Sequence, residues 1–458
     1  MSRGATTVFT LLLARLLAPE AFGLIAMATV VFELANVFIQ SGLRQALIRS
    51  KSVSDADLNT AFYTNLLLSA LAYAILFVGS HYVADFYSQP ELTNIVRVMG
   101  LIVFINATKV VQIAVLSRTM DFKSQMKANT LGAVGSGILA IYTAYLGWGV
   151  WSLAVMMLSQ ALISSIFLWL AGKWWPALEF STESFIRLFR FGRNLLAEGI
   201  VEVLFQNSYV LVIGRFFSVE VTGLYFLAKK ISNLVSQQLT SAIQQATFPA
   251  LSTLQDDNDT LRRKYRQIMQ LMMFIIAPVM ALLTGLASPL FELVLDERWQ
   301  AAVPYLQLLC VVGVLYPLHA LNINLLNVKG RSDLVLKLGL IKKTVNITLL
   351  FSAIPYGVTG IIVSQIIGTA LALIPNTYFS DRLIGYSLLT QVSDIAKPMV
   401  SATIAGIFTW WLSQKAADIS FTWLLAFGVI GCLVYVGISL AIKAEGASML
   451  WSKIKQVL

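Results

Sequence analysis

Eight ionisable side chains interrupt stretches of the chain that are otherwise apolar: Glu33, Lys109, Glu198, Glu202, Lys229, Lys230, Lys342 and Lys343. A charge at the centre of a lipid-facing helix costs roughly 2.5 to 3.5 kcal/mol, so such residues turn toward protein or toward a watery cavity. Glu198 and Glu202 are four apart and share one helical face. Lys229 and Lys230 are neighbours, as are Lys342 and Lys343, and neighbours diverge by about 100° on a helix, so one of each pair is expected to line a cavity. The lysines outnumber the glutamates, which suits an anionic group such as a phosphate or pyrophosphate held by ammonium point charges. The carboxylates either pair with lysines or bind a coupling H⁺ or Na⁺. Taken singly, each of these residues also has a plainer reading as a snorkelling or paired structural charge. His319, beside Asn322 and Asn324, reads first as a packing residue and only second as a ligand. Gln237, Gln238, Gln244 and Gln245 suit either a cavity wall or hydrogen bonds between helices.

Signatures of soluble catalysis are missing. The chain has no phosphate-cradling Walker loop, no His-Glu-x-x-His, no Gly-x-Ser-x-Gly and no hydrophilic stretch long enough to house an active site. Neither a disulfide, a metal site nor a cofactor is expected, because the two cysteines, Cys310 and Cys432, both fall inside apolar stretches.

Composition explains where these charges must sit. With 458 residues, 57% hydrophobic and only 12% charged, and a mean hydropathy of +0.76, the chain lacks the polar surface to coat a soluble globule. A spanning helix needs roughly 20 mostly apolar residues. About fourteen candidates run from Ala5–Leu17 and Phe22–Leu43 through Asn194–Arg215, Gly223–Leu251 and Tyr265–Leu295 to Phe421–Ile442. The first is short for a bilayer, so its beginning is expected to be missing.

Lysine and arginine distribution orients the spans. With the N-terminus inside, one side collects Arg3, Arg44, Arg49, Lys51, Arg118, Lys123, Arg187, Arg193, Arg262, Arg263, Lys264, Arg331, Lys443, Lys453 and Lys455, among others. The opposite side holds only Arg15, Arg215, Arg298 and Lys415. The positive-inside rule then places both termini in the cytoplasm. The net charge of +10 follows from this bias. The basic residues are scattered over many short segments rather than gathered in a stripe, which argues against nucleic acid and for anionic lipid headgroups as partners. No cleavable signal peptide is evident.

An internal repeat organises the chain. Ala14-Arg-Leu-Leu-Ala-Pro-Glu-Ala-Phe-Gly-Leu24 aligns with Gly214-Arg-Phe-Phe-Ser-Val-Glu-Val-Thr-Gly-Leu224, pairing Arg15 with Arg215, Glu20 with Glu220 and Gly23 with Gly223 at an offset of 200 residues. The element reads as a turn: Glu caps the following helix, Gly permits the bend and Arg snorkels to the interface. Two six-helix repeats follow, related by a pseudo-twofold along the membrane normal with a cavity between them. The expected organisation is a six-helix lobe over 1–171, a cytoplasmic linker over 172–193, a second six-helix lobe over 194–385, and two extra helices with a tail over 386–458. In the linker, Ser184–Phe191 is amphipathic and is expected to lie on the membrane surface with Phe185, Leu188 and Phe189 toward lipid.

Several motifs resemble the Wzx-type polysaccharide flippases. They are Leu13-Ala-Arg-Leu-Leu-Ala-Pro-Glu-Ala-Phe-Gly-Leu24, Gly42-Leu43 with Ala46-Leu-Ile-Arg49, Arg118-Thr-Met-Asp-Phe-Lys123, Arg190-Phe-Gly192, Ile213-Gly-Arg-Phe216 and Phe248-Pro-Ala-Leu251. The resemblance implies an all-α polytopic protein of the multidrug/oligosaccharidyl-lipid/polysaccharide exporter superfamily, V-shaped, with alternating access. It also implies movement of undecaprenyl-pyrophosphate-linked oligosaccharide from the cytoplasmic to the periplasmic leaflet of a bacterial inner membrane, for exopolysaccharide, capsule or O-antigen assembly. A polysaccharide polymerase or export machinery is an implied partner. Cavity positions in that family come mainly from the first, second, seventh and eighth spans, which here points to Glu33, Glu198, Glu202, Lys229 and Lys230. Two rivals remain: a MATE-like exporter of cationic drugs, which calls for acidic cavity residues, and a membrane glycan polymerase or glycosyltransferase, which calls for a long catalytic loop.

Overall fold

A computed structural model describes residues 2–40, 42–415 and 420–447. Lys453 and Lys455, and the side chains of Arg3 and Arg193, lie outside the described residues. The fold is all-α. Its helices are α1 Ser2–Leu16, α2 Pro19–Gln40, α3 Leu43–Arg49, α4 Asp55–Tyr87, α5 Leu92–Arg118, α6 Phe122–Tyr145, α7 Val150–Ala171 and α8 Thr182–Phe216. They continue as α9 Val219–Ser252, α10 Asn258–Gly285, α11 Ala287–Val294, α12 Val303–Val328, α13 Ser332–Ser352, α14 Gly357–Ile384, α15 Leu388–Ser413 and α16 Phe421–Ala441.

By length and apolarity, nine helical segments among the described residues can cross a membrane. The criterion leaves out α1, which is short, α6, which is rich in Gly, Ser and Thr, and the charge-bearing α8, α9 and α13. The helices too polar to pass are thus largely those that carry the intramembrane lysines and glutamates.

The chain forms two compact units, Met1–Phe226 and Leu227–Leu458. In the first, α4 with α5 and α6 with α7 are antiparallel hairpins, and α2 is the central helix, packed against α4, α5, α7 and α8. In the second, α10 lies along α15 and α12 along α14, with α16 on the outside of α15. At the α10–α15 crossing a Cβ on Gly285 would lie 2.4 Å from the carbonyl oxygen of Gly406. Helices in lipid gain little from hydrophobic burial, and close backbone approach supplies their association instead.

Two expectations are corrected. The amphipathic stretch from Ser184 is not a separate surface segment; it forms the first turns of α8, capped by Ser181, whose hydroxyl accepts the Ser184 N–H at 3.2 Å. Leu188 is 3% exposed and packs with Leu43, Leu47, Leu58, Phe62 and Trp174, while Phe185 and Phe189 stack on one another at 5.5 Å on the outer face. Arg187 fastens this end to α4 through Asp57, itself half of a capping box with Ser54. The span expected at Tyr265–Leu295 also breaks, ending as α10 at Gly285 and resuming as the short α11.

The repeated element is built differently from the turn read above. Gly23 and Gly223 lie inside α2 and α9, past the bend, while Glu20 and Glu220 occupy the first turns, where a carboxylate favours the helix dipole. A Cβ on Gly23 would sit 2.0 Å from the Val219 carbonyl oxygen, and one on Gly223 would sit 1.9 Å from that of Pro19. Since Pro19 aligns with Val219, the contact maps onto itself when the two copies are exchanged, as an isologous two-fold contact does. These glycines permit an approach of helix ends, not a turn.

Gly223→Ala is expected to force these backbones apart and lower stability by roughly 1 to 3 kcal/mol, the cost of overpacking a tight contact. Gly339→Ala, where nothing lies within 4 Å, should be neutral or mildly stabilising. Thermal unfolding of the purified proteins checks both.

Candidate functional site

In the first unit the polar residues gather where α2 meets α8 and α5. The two helices α2 and α8 run antiparallel: Gly214 packs beside Met27, Asn207 meets Glu33, and Gly199 packs on Val37. Asn207 Nδ2 donates to Glu33 Oε2 at 2.8 Å. One turn along α2, Asn106 of α5 donates to Asn36 Oδ1 at 3.1 Å. Lys109, half-buried one turn further along α5, turns instead to α7 and donates to Ser164 Oγ at 3.3 Å. Beside it Thr108 and Ser165 share a hydrogen bond of 3.1 Å. Glu202 accepts from Gln206 on its own helix at 2.7 Å, and Glu198 is exposed.

Lys229 and Lys230 in α9, and Lys342 and Lys343 in α13, belong to the second unit, and all four are half-buried. Just beyond the lysine pair, α9 is tied to α12 by a ladder of hydrogen bonds. Ser232 Oγ donates to Leu309 O at 2.9 Å, Ser236 Oγ to Gly313 O at 2.6 Å and Gln244 Nε2 to Ala320 O at 2.8 Å. The middle rung has a covalent cause. Pro317 lacks an N–H, so the carbonyl four residues earlier, Gly313, loses its helical donor. The same repair recurs in α10, where Pro278 strands the Phe274 carbonyl and Tyr435 of α16 donates to it at 2.9 Å. His319 is held at both ring nitrogens, by Asn376 at 2.8 Å and the Thr369 carbonyl at 3.0 Å, both neutral groups of α14.

Two cavities accompany these helices. One of about 630 Å³ lies among α10, α12 and α15, bordered by Met280, Gly285, Cys310, Val314, Gly406 and Trp410. The other, about 390 Å³ between α5 and α7, has Thr108 and Ser165 at its floor and Trp169 and Trp175 along its wall. Their walls are apolar and include none of the charged candidates, so they suit hydrocarbon better than a charged headgroup.

The turn ends of the spans carry a further arrangement that sequence reading did not join. Arg118 reaches the C-terminal carbonyls of α3, donating to Leu47 O at 2.8 Å and Ser50 O at 2.6 Å, which brings the Arg118–Lys123 and Ala46–Arg49 motifs together. In the same turn the Ser124 hydroxyl and N–H hold the Asp121 carboxyl below the usual carboxylate range. The N–H and hydroxyl of Thr260 do the same for Asp257 before α10. In the second unit Arg266 pairs with the buried Asp394 at 2.5 Å, and Tyr386 donates to the other oxygen of that carboxylate at 2.8 Å. Asn36, Asn106 and Asn207 escaped the sequence reading because they are uncharged. Their signal was an amide within a strongly apolar helix.

Long apolar helices whose proline-broken backbone bonds are made good by neighbouring helices define a multi-pass membrane protein. The fold is similar to that of the lipid II flippase MurJ in an inward closed conformation, with a TM-score of 0.78 over 96% of each chain at 13% identity. It is also similar to an inward-facing MATE-family multidrug resistance transporter of the MOP superfamily, with a TM-score of 0.64 over 82% of this chain and 94% of that one at 16% identity. The polysaccharide biosynthesis protein family matches residues 12–304, and the chain belongs to that family. The lipopolysaccharide biosynthesis protein WzxC of Escherichia coli (strain K12) is 27% identical over 79% of this chain and 75% of its own length. The succinoglycan biosynthesis transport protein ExoT of Rhizobium meliloti (strain 1021) is 27% identical over 67% of this chain and 62% of its own length. The teichuronic acid biosynthesis protein TuaB of Bacillus subtilis (strain 168) is 27% identical over 66% of this chain and 62% of its own length. The chain thus spans less than two thirds of the latter two.

Ser236→Ala should strand the Gly313 carbonyl and cost about 1 to 3 kcal/mol, the penalty for an unmade buried hydrogen bond. Adding Pro317→Ala restores a helical N–H to that carbonyl and should recover part of the loss. A double-mutant cycle on thermal stability reads the coupling, and additive losses would contradict the repair.

Proposed function

We propose that this protein is a flippase that carries an oligosaccharide on undecaprenyl pyrophosphate from the cytoplasmic to the periplasmic leaflet of a bacterial inner membrane. The observation that carries this reading is membership of the polysaccharide biosynthesis protein family over most of the chain. Its relatives are named for lipopolysaccharide, succinoglycan and teichuronic acid biosynthesis. The three named polymers differ, so the repeat unit is left open, and the likeness to a lipid II flippase supports a lipid-linked cargo. The product enters exopolysaccharide, capsule or O-antigen assembly, with a polymerase or export machinery downstream.

A sugar and pyrophosphate need a hydrated path with positive charge, whereas the prenyl tail is soluble in the membrane. The half-buried Lys229 and Lys230 on α9 are the first counter-charges, with Lys109, Lys342 and Lys343 as further candidates and Glu33, Glu198 and Glu202 as charge-pairing or ion-coupling groups. The repeat marked by Arg15, Glu20 and Gly23 against Arg215, Glu220 and Gly223 supports lobes over 1–171 and 194–385 that open to each leaflet in turn, driven by cation coupling. The lysine and arginine bias of the turns supports cytoplasmic termini. Likeness to MATE transporters rests on fold alone, and the lysine excess within the spans disfavours a cationic-drug cargo. One relative is named a transport protein and the structural neighbour MurJ a lipid II flippase, which supports a transporter rather than an enzyme.

Lys229→Ala combined with Lys230→Ala should abolish polymer export while membrane abundance stays at the wild-type level, because the pyrophosphate loses its counter-charge. Export assays beside quantitation of the inserted protein test this. Full export by a correctly inserted double mutant would remove these lysines from the path.

A further inference from the structure

The crevice between α5 and α7 is closed at one end by a built wall. Gly172 ends α7, and a Cβ there would lie 1.9 Å from Gln112 Oε1. Gln112 is fully buried in α5, on the face that also carries Phe104 and Thr108, and its Nε2 donates to the Trp174 carbonyl at 2.9 Å. The chain leaving α7 is thereby drawn back over the helix end, which sets Trp175 against Trp169 with ring centroids 5.2 Å apart. Trp169 in turn meets Phe62 of α4 edge-on at 5.9 Å. On the floor, Thr108 donates to Ile105 O at 2.8 Å and shares a hydrogen bond of 3.1 Å with Ser165, so these hydroxyls are already satisfied within the protein.

What remains is an apolar slot of about 390 Å³, open sideways where Leu162 and Ile166 are each 49% exposed. Both helices are long and apolar enough to cross a membrane. From Leu162 to Leu170 the slot follows α7 for about 12 Å of helix axis. One leaflet supplies about half of a hydrocarbon layer roughly 30 Å thick, so the slot has the depth of one leaflet and ends where tryptophan is favoured, at the interface. Lys173 stands exposed at that end, two residues before Trp175. The carboxylates that follow are engaged elsewhere: Glu179 accepts from Asn59 Nδ2 at 3.3 Å, and Glu183 lies in the first turn of α8.

We propose that this slot seats one acyl chain of an anionic phospholipid from the leaflet on the linker's side, with the phosphate at Lys173 and the Trp169–Trp175 pair at the glycerol level. The apolar walls and satisfied floor accept hydrocarbon, and the lysine at the mouth complements an anionic headgroup. A polyprenyl tail is too long to be seated in a slot one leaflet deep. The seat lies wholly within the first unit and does not depend on the proposed cargo. Its occupant ties the linker end of that unit to the surrounding bilayer.

The test uses the purified full chain in phosphatidylcholine nanodiscs doped with phosphatidylglycerol or phosphatidylcholine that carries a photoreactive diazirine in one acyl chain. Adducts are mapped by peptide mass spectrometry. In the wild type the phosphatidylglycerol probe should label residues 104–108 and 162–170 saturably and more strongly than the phosphatidylcholine probe. Leu162→Trp fills the open side at an exposed position and should cut that labelling by about tenfold, at an unchanged unfolding temperature. Ile166→Trp repeats the test from the same wall should the first variant insert poorly. Lys173→Gln should bring the two probes to parity. Undecaprenyl phosphate added to the discs should leave the labelling in place. Labelling spread evenly over the outward-facing helices, labelling untouched by either tryptophan, or an undiminished phosphatidylglycerol preference in Lys173→Gln would overturn the seat. Displacement of the probe by undecaprenyl phosphate would overturn it too, by assigning the slot to a prenyl chain.

Discussion

In hydrocarbon there is no water to complete an unmade hydrogen bond, and each orphaned polar group costs several kcal/mol. That constraint governs this molecule from the backbone outward. It explains why α9 carries Ser236 opposite Gly313, a carbonyl that Pro317 has stripped of its partner, and why Tyr435 reaches from α16 to Phe274 above Pro278. Each of these prolines leaves a carbonyl of its helix without a donor, and a neighbouring helix supplies it. A covalent peculiarity of one helix thereby fixes which partner it must keep.

The same economy applies to side chains. Asp394 is satisfied by Arg266 and Tyr386 near one end of α15, His319 by two neutral groups of α14, and Asn322 by Ser380, Gln391 and Tyr265. Among the described residues, Glu33 meets the amide of Asn207 and forms no ion pair. The half-buried lysines of α9 and α13 place positive charge on helices whose polarity exceeds that of an ordinary span. A protein that needed only to stay folded in lipid would gain by replacing such residues with leucine. On the proposed reading, they serve a charged cargo.

The repeat unites architecture and packing. Duplicated elements two hundred residues apart meet at their own glycines, each helix start lodged against the other. Arg118 performs a related task at the opposite kind of turn, where it gathers the carbonyls at the end of α3. These contacts give physical roles to motifs that sequence comparison marks only as recurrent: they are places where backbones meet or where helix ends are capped.

Apolar run length, the alternation of basic turns and the echo of Ala14–Leu24 in Gly214–Leu224 were legible in the residues themselves, because membrane thickness and lipid charge act on composition and local order. Those local rules also marked Glu33 and the lysines as out of place. They did not reveal Asn207 as the partner of Glu33, the turn of Lys109 toward Ser164, or the continuation of Ser184–Phe191 into α8 with Leu188 buried. They assigned Gly23 and Gly223 to a bend, when both serve a close approach between helices distant in sequence. Depth in the membrane is a property of a segment, which sequence encodes directly. Which side chain meets which is decided by the rotation and spacing of helices far apart in the chain, and that is settled only when the whole bundle packs.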